Sequence, residues 1–404
     1  MAKYRTIESM PDIRGKRVLV RIDHNVTYDK QGILKDDRKL RASLPSIEYL
    51  IDRGAKIILM THVGRPKGEV DESIRTRPIA EHLKKMSKKI RSIKTVQQLY
   101  GPEVDSAIQK LKEGDILYLE NVRFFPGEKE NTEAHIDALA RLGELYVNDA
   151  FPSLHTYEEA STCGVARRLP AYAGFQLIKE VEYLGKVFED PRRPIILIIS
   201  GAKMKTKIPV IEHFLAKGDE ILLGGAVANT FIAARGFDIG KSKYESEFME
   251  KAQEIMLEGD KEEKADIHIP RDAVVASDPH EKTCVDLPLE DIEGDMAIFD
   301  IGKITVKRYI ESITKAGMVI WNGPLGMYEE EQFAEGSRAI AKTIAQETKK
   351  RGMISIIGGG DTIDLHTRYK LPLDAYTFVS TGGGAMLEFV SGKCLPALEP
   401  LLIR

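Results

Sequence analysis

Short apolar runs of four to seven residues recur along this chain, each followed by a polar or glycine-rich turn and then by a helical stripe. Arg17–Asp23 (RVLVRID), Lys56–Thr61 (KIILMT), Asp115–Glu120 (DILYLE) and Glu144–Val147 read as strands. Between them, apolar residues fall at helical spacing: Leu44, Ile47, Leu50 and Ile51; Ile79, Leu83 and Met86; Ala138, Leu139 and Leu142. Pro45 is expected in the first turn of the first helix, and Gly54 ends it. A loop through Asp29–Gly32 precedes it. Strands that alternate with helices pair in parallel, and a parallel sheet must be covered on both faces. The pattern therefore predicts an α/β fold.

The pattern then restarts. Phe175–Glu189 is amphipathic, with Leu177, Val181, Leu184 and Phe188 on one stripe, and Pro191 and Pro194 follow it. Ile195–Ile199, Glu220–Leu223, Met296–Asp300, Met318–Trp321, Ile354–Ile357 and Thr377–Ser380 read as strands. Helices are expected at Ile208–Leu215, around Phe231, and over Glu245–Leu257, Lys303–Lys315 and Phe333–Thr348, with short strands around Lys264–Val275. A chain of 404 residues is too long for one ordinary core. We expect two doubly wound domains, each a mostly parallel sheet with helices on both faces, joined by a hinge helix. The expected boundaries are a first domain over 1–174, the helix over 175–190 and a second domain over 191–390.

Composition narrows the classes. A hydrophobic content of 43% with 30% charged residues is that of a globular protein, and the formal net charge of −3 argues for neither a nucleic-acid nor a membrane partner. The cysteines Cys163, Cys284 and Cys394 are scattered and odd in number, which fits neither a disulfide framework nor a zinc site and suggests a cytoplasmic location. No apolar run reaches membrane length.

The two halves carry different residues at their strand ends, which is where open α/β sheets bind ligands. In the first half these are Asp23 and Asn25, His62 and Arg65, Arg123, Asn148 and Asp149, and His155, a set suited to a small polyanion. In the second half they are glycine turns: Gly201 beside Lys203 and Lys207, Gly224-Gly225, Asn322-Gly323-Pro324-Leu325-Gly326, Gly358-Gly359-Gly360, and Gly382-Gly383-Gly384. Glycines admit backbone N–H groups close to an anion, and helix N-termini add partial positive charge. Asp361 either caps its helix or holds Mg2+ against phosphate oxygens. Gly236–Ser242 is one residue short of a P-loop, and no G-x-G-x-x-G follows a strand. Anion residues in one half and a nucleotide groove in the other point to phosphoryl transfer across a closing cleft. A carboxylate acceptor needs no strong general base, because its pKa of about 4 leaves it ionised at neutral pH.

Taken in order, these motifs resemble phosphoglycerate kinase over essentially the whole chain. Val20-Arg21-Ile22-Asp23-His24-Asn25-Val26, His62-Val63-Gly64-Arg65-Pro66, Leu119-Glu120-Asn121-Val122-Arg123-Phe124 and Val147-Asn148-Asp149-Ala150-Phe151 match its acceptor half. Gly201-Ala202-Lys203 with Lys207, Trp321–Gly326, Gly358–Thr362 and Ser380–Ala385 match its nucleotide half. The resemblance implies reversible transfer between 1,3-bisphosphoglycerate and ADP, giving 3-phosphoglycerate and ATP, in a cytoplasmic monomer with Mg2+. It implies that Asp23, Asn25, His62, Arg65, Arg123 and His155 hold the phosphoglycerate, and that Lys203 and Lys207 neutralise the transferring group. Gly201, Ala202, Gly224, Gly225, Asn322, Pro324, Gly326, Glu329, Gly358, Gly359, Gly360 and Thr362 would bind the nucleotide, and Asp361 the metal. The tail, 391–404, would return to the first domain.

Three positions depart from the family pattern. The arginine expected before the first helix falls on Arg38 or on Lys39, depending on the direction of counting, and Lys39 would lack the bidentate fork. An expected substrate arginine is replaced by Thr156, with Arg167 or Arg168 as candidates to compensate. Thr206 stands where an aspartate is expected. The alternatives to the leading function are a paralogous small-carboxylate kinase and a nucleotide-binding protein without turnover.

Overall fold

The computed structural model describes residues 4–28, 34, 36–155, 157–189 and 191–403. The loop expected over 29–32, and Thr156, lie outside the described residues. Two compact units emerge, one of Met1–Glu182 with Cys394–Arg404 and the other of Tyr183–Lys393. The division falls within helix Phe175–Glu189.

The first unit is a parallel sheet of β1 (Arg17–Ile22), β2 (Lys56–Met60), β3 (Ile93–Thr95), β4 (Ile116–Tyr118), β5 (Leu145–Asp149) and β6 (Ala171–Ala173), in the order β3-β4-β2-β1-β5-β6. The second unit is built from β7 (Ile195–Ile199), β8 (Glu220–Leu223), β9 (Asp266–His268), β10 (Asp272–Ala276), β11 (Val285–Pro288), β12 (Ala297–Ile301), β13 (Met318–Asn322), β14 (Ile354–Gly358) and β15 (Phe378–Ser380). Six of these form a parallel sheet in the order β15-β14-β13-β7-β8-β9. The five aliphatic residues of β7 are all buried, as its position between β13 and β8 demands. Burying each such side chain is worth roughly 1.5–3 kcal/mol.

Both sheets reverse direction beside their first strand. The chain passes from β1 to β2 on one side and from β5 to β6 on the other; it passes from β7 to β8 on one side and from β13 to β14 on the other. Each reversal opens a crevice at the carboxyl ends of two neighbouring strands, β1 with β5 and β7 with β13.

Several local expectations change. Pro45 is not in a first turn but midway along helix Arg38–Asp52. The Asp37 carbonyl accepts the Arg41 N–H and its carboxylate clasps the Arg41 guanidinium, which starts the helix well upstream of the proline. The helix expected from Ile208 begins at Met204 and so includes Lys207. Asn148 and Asp149 belong to β5 itself, because they pair with Arg21 and Ile22 of β1. Phe188 leaves the buried stripe of its helix: it is 40% exposed and stands edge-on to His213, while Val187 is buried. Met296–Asp300 contributes β12 to a small antiparallel sheet, β11-β10-β12, of which Val285–Pro288 carried too weak an alternation to be read.

Candidate functional site

In the first unit, the residues after β1 and β2 and the turn after β4 form one connected set. Asp23 is buried and its Oδ2 lies 2.7 Å from Lys39 Nζ. Its Oδ1 accepts the Asn25 N–H at 3.2 Å. Asn25 Oδ1 accepts the Gly64 N–H at 3.0 Å, and the Gly64 carbonyl accepts Arg123 Nη1 at 3.1 Å. Asn121 pins the same turn, since its Oδ1 accepts the N–H groups of Val63 and Arg123. Arg123 Nη2 donates to Glu159 Oε1 at 3.1 Å.

His62 is fixed from behind. Arg21, fully buried in β1, donates from Nη2 to His62 Nδ1 at 2.9 Å and to Ser153 Oγ at 3.2 Å, and from Nε to Ser161 Oγ at 2.9 Å. Ser161 in turn donates to Glu128. Burial, followed by the charges of Arg21, Arg123 and Lys39, holds the His62 pKa well below the usual imidazole value. The ring is neutral, with its proton on Nε2.

The other predicted residues of this half fall at its margin. Arg65 is exposed and makes no hydrogen bond or ion pair among the described residues. His155 stacks on Tyr157 with ring centres 4.9 Å apart. Arg38 forks onto both oxygens of Asp36, whereas Lys39 reaches Asp23. Arg167 is engaged by Glu158, and Arg168 by Glu133 and Asp137. Asp149 accepts the Leu177 N–H at 3.0 Å, and burial pushes its pKa up to about 6. His24 is satisfied in the core by Tyr118 and Ser43, and burial takes it down to about 3. The sequence reading passed over Arg21, Glu128, Glu159 and Ser161. The signal for Arg21 was a charge inside an apolar strand, which needs buried partners.

In the second unit, the turns after β7, β13 and β14 interlock. Lys207 lies in the first turn of helix Met204–Lys217, is buried, and donates from Nζ to Asn322 Oδ1. Asn322 Nδ2 donates to the Gly358 carbonyl at 2.9 Å, and the Gly323 N–H donates to Thr362 Oγ1 at 2.8 Å. Burial pushes Lys207 down to about 8, with the charge of Asp361 acting the other way. Lys203 stands at the N-terminal boundary of this helix, with its side chain exposed and making no capping bond.

The glycines serve two purposes. A Cβ on Gly224 would lie 2.4 Å from Leu325 Cδ2, and one on Gly326 2.3 Å from Asp300 Oδ1, so these glycines allow the turns to pack. Gly359, at φ +101, turns the chain out of β14 against Asn322. A Cβ on Gly360 would meet nothing within 4 Å, and it opens the helix Gly360–Arg368, whose first N–H groups have no intrahelical partner.

A groove of about 490 Å³ runs beside these turns. Gly201, Ala202, Gly225, Pro324, Gly326, Glu329 and Asp361 line it; the remaining predicted nucleotide residues do not. Its other wall comes from Ala297–Ile301 with Leu325, Met327 and Tyr328, an apolar surface the glycine motifs did not reveal. Asp300, at its floor, accepts the N–H groups of Ile301 and Gly336 and is pushed up to about 8 by burial.

Comparison with known proteins agrees over nearly the full length. Residues 7–393 match the family model described as phosphoglycerate kinase. The chain is 43% identical over 393 residues to the phosphoglycerate kinase of Chloroflexus aurantiacus, covering 96% of this chain and 97% of that one. It is 43% identical over 391 residues to that of Dictyoglomus turgidum, covering 96% of each. The structure of phosphoglycerate kinase from Coxiella burnetii superposes with a TM-score of 0.85 at 33% identity over 99% of both chains. That from Pyrococcus horikoshii gives 0.83 at 32% over 98% of both. From the interlocked glycine turns, the acceptor-side network and these full-length matches, it follows that the chain belongs to the phosphoglycerate kinase family.

Proposed function

We propose that this chain catalyses the reversible transfer of a phosphoryl group between 1,3-bisphosphoglycerate and ADP, giving 3-phosphoglycerate and ATP. The observation that carries the reading is Lys207, a buried ammonium anchored by Asn322 at the carboxyl ends of β7 and β13. An ammonium desolvated in this way is stabilised by an anion placed beside it.

In the ATP-forming direction an oxygen of the ADP β-phosphate attacks the phosphorus of the acyl phosphate. The bond from phosphorus to the carboxyl oxygen breaks, and the carboxylate leaves ionised. No proton has to move, so positioning and charge neutralisation do the catalytic work. Lys203 and Lys207 neutralise the phosphoryl oxygens on the nucleotide side, and Lys39 on the acceptor side. His62 presents Nε2–H to the acceptor; Arg65 and Arg123 hold its phosphate, with Asp23, Asn25 and His155 as further contacts. Gly201, Gly225, Pro324, Gly326 and Glu329 hold the nucleotide against the apolar wall of the groove.

Asp361 suits Mg2+. Its carboxylate is exposed, lines the groove and has no hydrogen-bond or ion-pair partner among the described residues. Among those residues no group of three His, Cys, Asp or Glu could cage a metal. A single carboxylate with nucleotide oxygens and water fits Mg2+, which when bound neutralises phosphate charge.

We expect action as a monomer. Free cysteines support a cytoplasmic site; no helix among the described residues is long and apolar enough to cross a membrane. The reaction is tested by 31P NMR of Mg-ADP with freshly generated 1,3-bisphosphoglycerate. Appearance of ATP and 3-phosphoglycerate at enzyme-dependent rates is expected; decay of the acyl phosphate to inorganic phosphate alone contradicts the proposal.

A further inference from the structure

Arg123 and Glu159 form an ion pair among the acceptor residues, with side chains only 8% and 1% exposed. It is a single bond. Arg123 Nε and Glu159 Oε2 are both shielded from solvent and both lack a hydrogen-bond partner. The two-bond fork by which a guanidinium and a carboxylate satisfy each other is not made. The other arm of the guanidinium holds the Gly64 carbonyl, and Gly64 is held in turn by Asn25. Arg123 is therefore anchored to the turn that carries His62 and Arg65 without help from Glu159. Glu159 itself is not on a free loop, since its carbonyl accepts the N–H groups of Thr162 and Cys163.

What Glu159 adds is negative charge in a site whose ligand is an anion. In this half-site His62 is neutral, Asp23 pairs with Lys39 and Glu159 pairs with Arg123. Arg65 alone of its lysines and arginines proposed to meet the acceptor has no ion-pair partner among the described residues.

We propose that Glu159 is a specificity-determining residue: an internal anion that competes with the acceptor's phosphate for Arg123 and loosens the hold of the site on phosphorylated three-carbon acids. This rests on the reading of Arg123 as an acceptor-binding group. Two charges within about 4 Å in a partly desolvated site interact strongly enough to move affinity by an order of magnitude.

The test compares initial rates with Mg-ATP and 3-phosphoglycerate. Glu159→Gln keeps the shape and an oxygen acceptor but removes the charge. Its KM for 3-phosphoglycerate should fall on the order of tenfold with the KM for ATP unchanged. Inorganic phosphate should compete with 3-phosphoglycerate at correspondingly lower concentration. An unchanged or raised KM for 3-phosphoglycerate overturns the proposal, because Glu159 would then orient Arg123 or stand apart from binding. Glu159→Asp withdraws the charge by one methylene and should shift the KM in the same direction by less; it carries the comparison if the glutamine variant does not fold. Arg123→Gln separates the two claims. If it leaves the KM for 3-phosphoglycerate unchanged, the placement of Arg123 in the acceptor site is what fails.

Discussion

The guanidinium of Arg21 lies 2.9 Å from Nδ1 of His62. An arginine can only donate, so Nδ1 accepts and the imidazole proton stays on Nε2. Arg21→Lys keeps the charge but cannot reach His62, Ser153 and Ser161 together. Losing a hydrogen bond to a charged group is worth about 1.5–3 kcal/mol, so the KM for 3-phosphoglycerate should rise roughly tenfold or more with kcat much less affected. Nitrogen NMR of His62 should show one neutral tautomer between pH 5 and 8 in the parent and a titrating ring in the variant. An unchanged spectrum and KM would remove Arg21 from the account.

Lys39 and Arg38 compete for one role, and their partners differ. Lys39 meets the buried Asp23, while Arg38 is spent on Asp36 at the surface. Lys39→Ala should lower kcat about a hundredfold or more, the scale of removing one donor to a developing charge. Arg38→Ala should stay within about threefold, as exposed pairs contribute little. The opposite ranking would assign the role to Arg38.

The proposed contact between Lys207 and the nucleotide phosphates predicts that nucleotide binding is sensitive to pH. Burial lowers its pKa to about 8 from the ordinary 10.5. Between those values the unfolded chain binds more protons than the folded one, so stability from this group rises with pH across that window; the cost of burying the ammonium is full below about 8. Nucleotide phosphates favour the charged form and pull the pKa back up. Calorimetric titration of ADP at pH 8.5 should therefore show uptake of a fraction of a proton, seen as an enthalpy that depends on the buffer. Lys207→Met should abolish that dependence. A buffer-independent enthalpy in the parent protein would contradict the assignment.

The Asp361 carboxylate has no hydrogen-bond or ion-pair partner among the described residues, so replacing it should not disturb the fold. Asp361→Asn should raise the Mg2+ needed for half-maximal rate by about tenfold or more, on the scale of a lost ligand contact. The melting temperature without Mg2+ should stay within about 2 °C, a shift of about 1 kcal/mol or less. A normal Mg2+ titration would leave Asp361 as a helix residue only.

The alternation of apolar runs and helical stripes made both parallel sheets legible, because buried parallel strands such as Ile195–Ile199 admit little else. The short strands β3, β6 and β11 escaped, since three or four residues carry too little periodicity to read. Strand-end residues marked the crevices, and the glycine motifs marked the turns that interlock beside the groove. What sequence could not supply was partnership between distant residues. Nothing near Glu159 announces that it meets Arg123, and nothing near Arg21 that it orients His62. Sequence likewise left Arg38 and Lys39 as alternatives, and what it could not show is that Lys39 pairs with Asp23 and Arg38 with Asp36. The apolar wall of the groove is built on the small antiparallel sheet, whose strand β12 carries no glycine signature.

Phosphorylation of the carboxylate of 3-phosphoglycerate is the reaction proposed for this chain. It is measured as steady-state turnover of the purified protein with Mg-ATP and 3-phosphoglycerate, with 2-phosphoglycerate and glycerate as controls. Strong turnover on 3-phosphoglycerate and little on either control is expected. Intact Mg-ATP binding with no turnover on 3-phosphoglycerate, or preferred turnover of another acid, would contradict it.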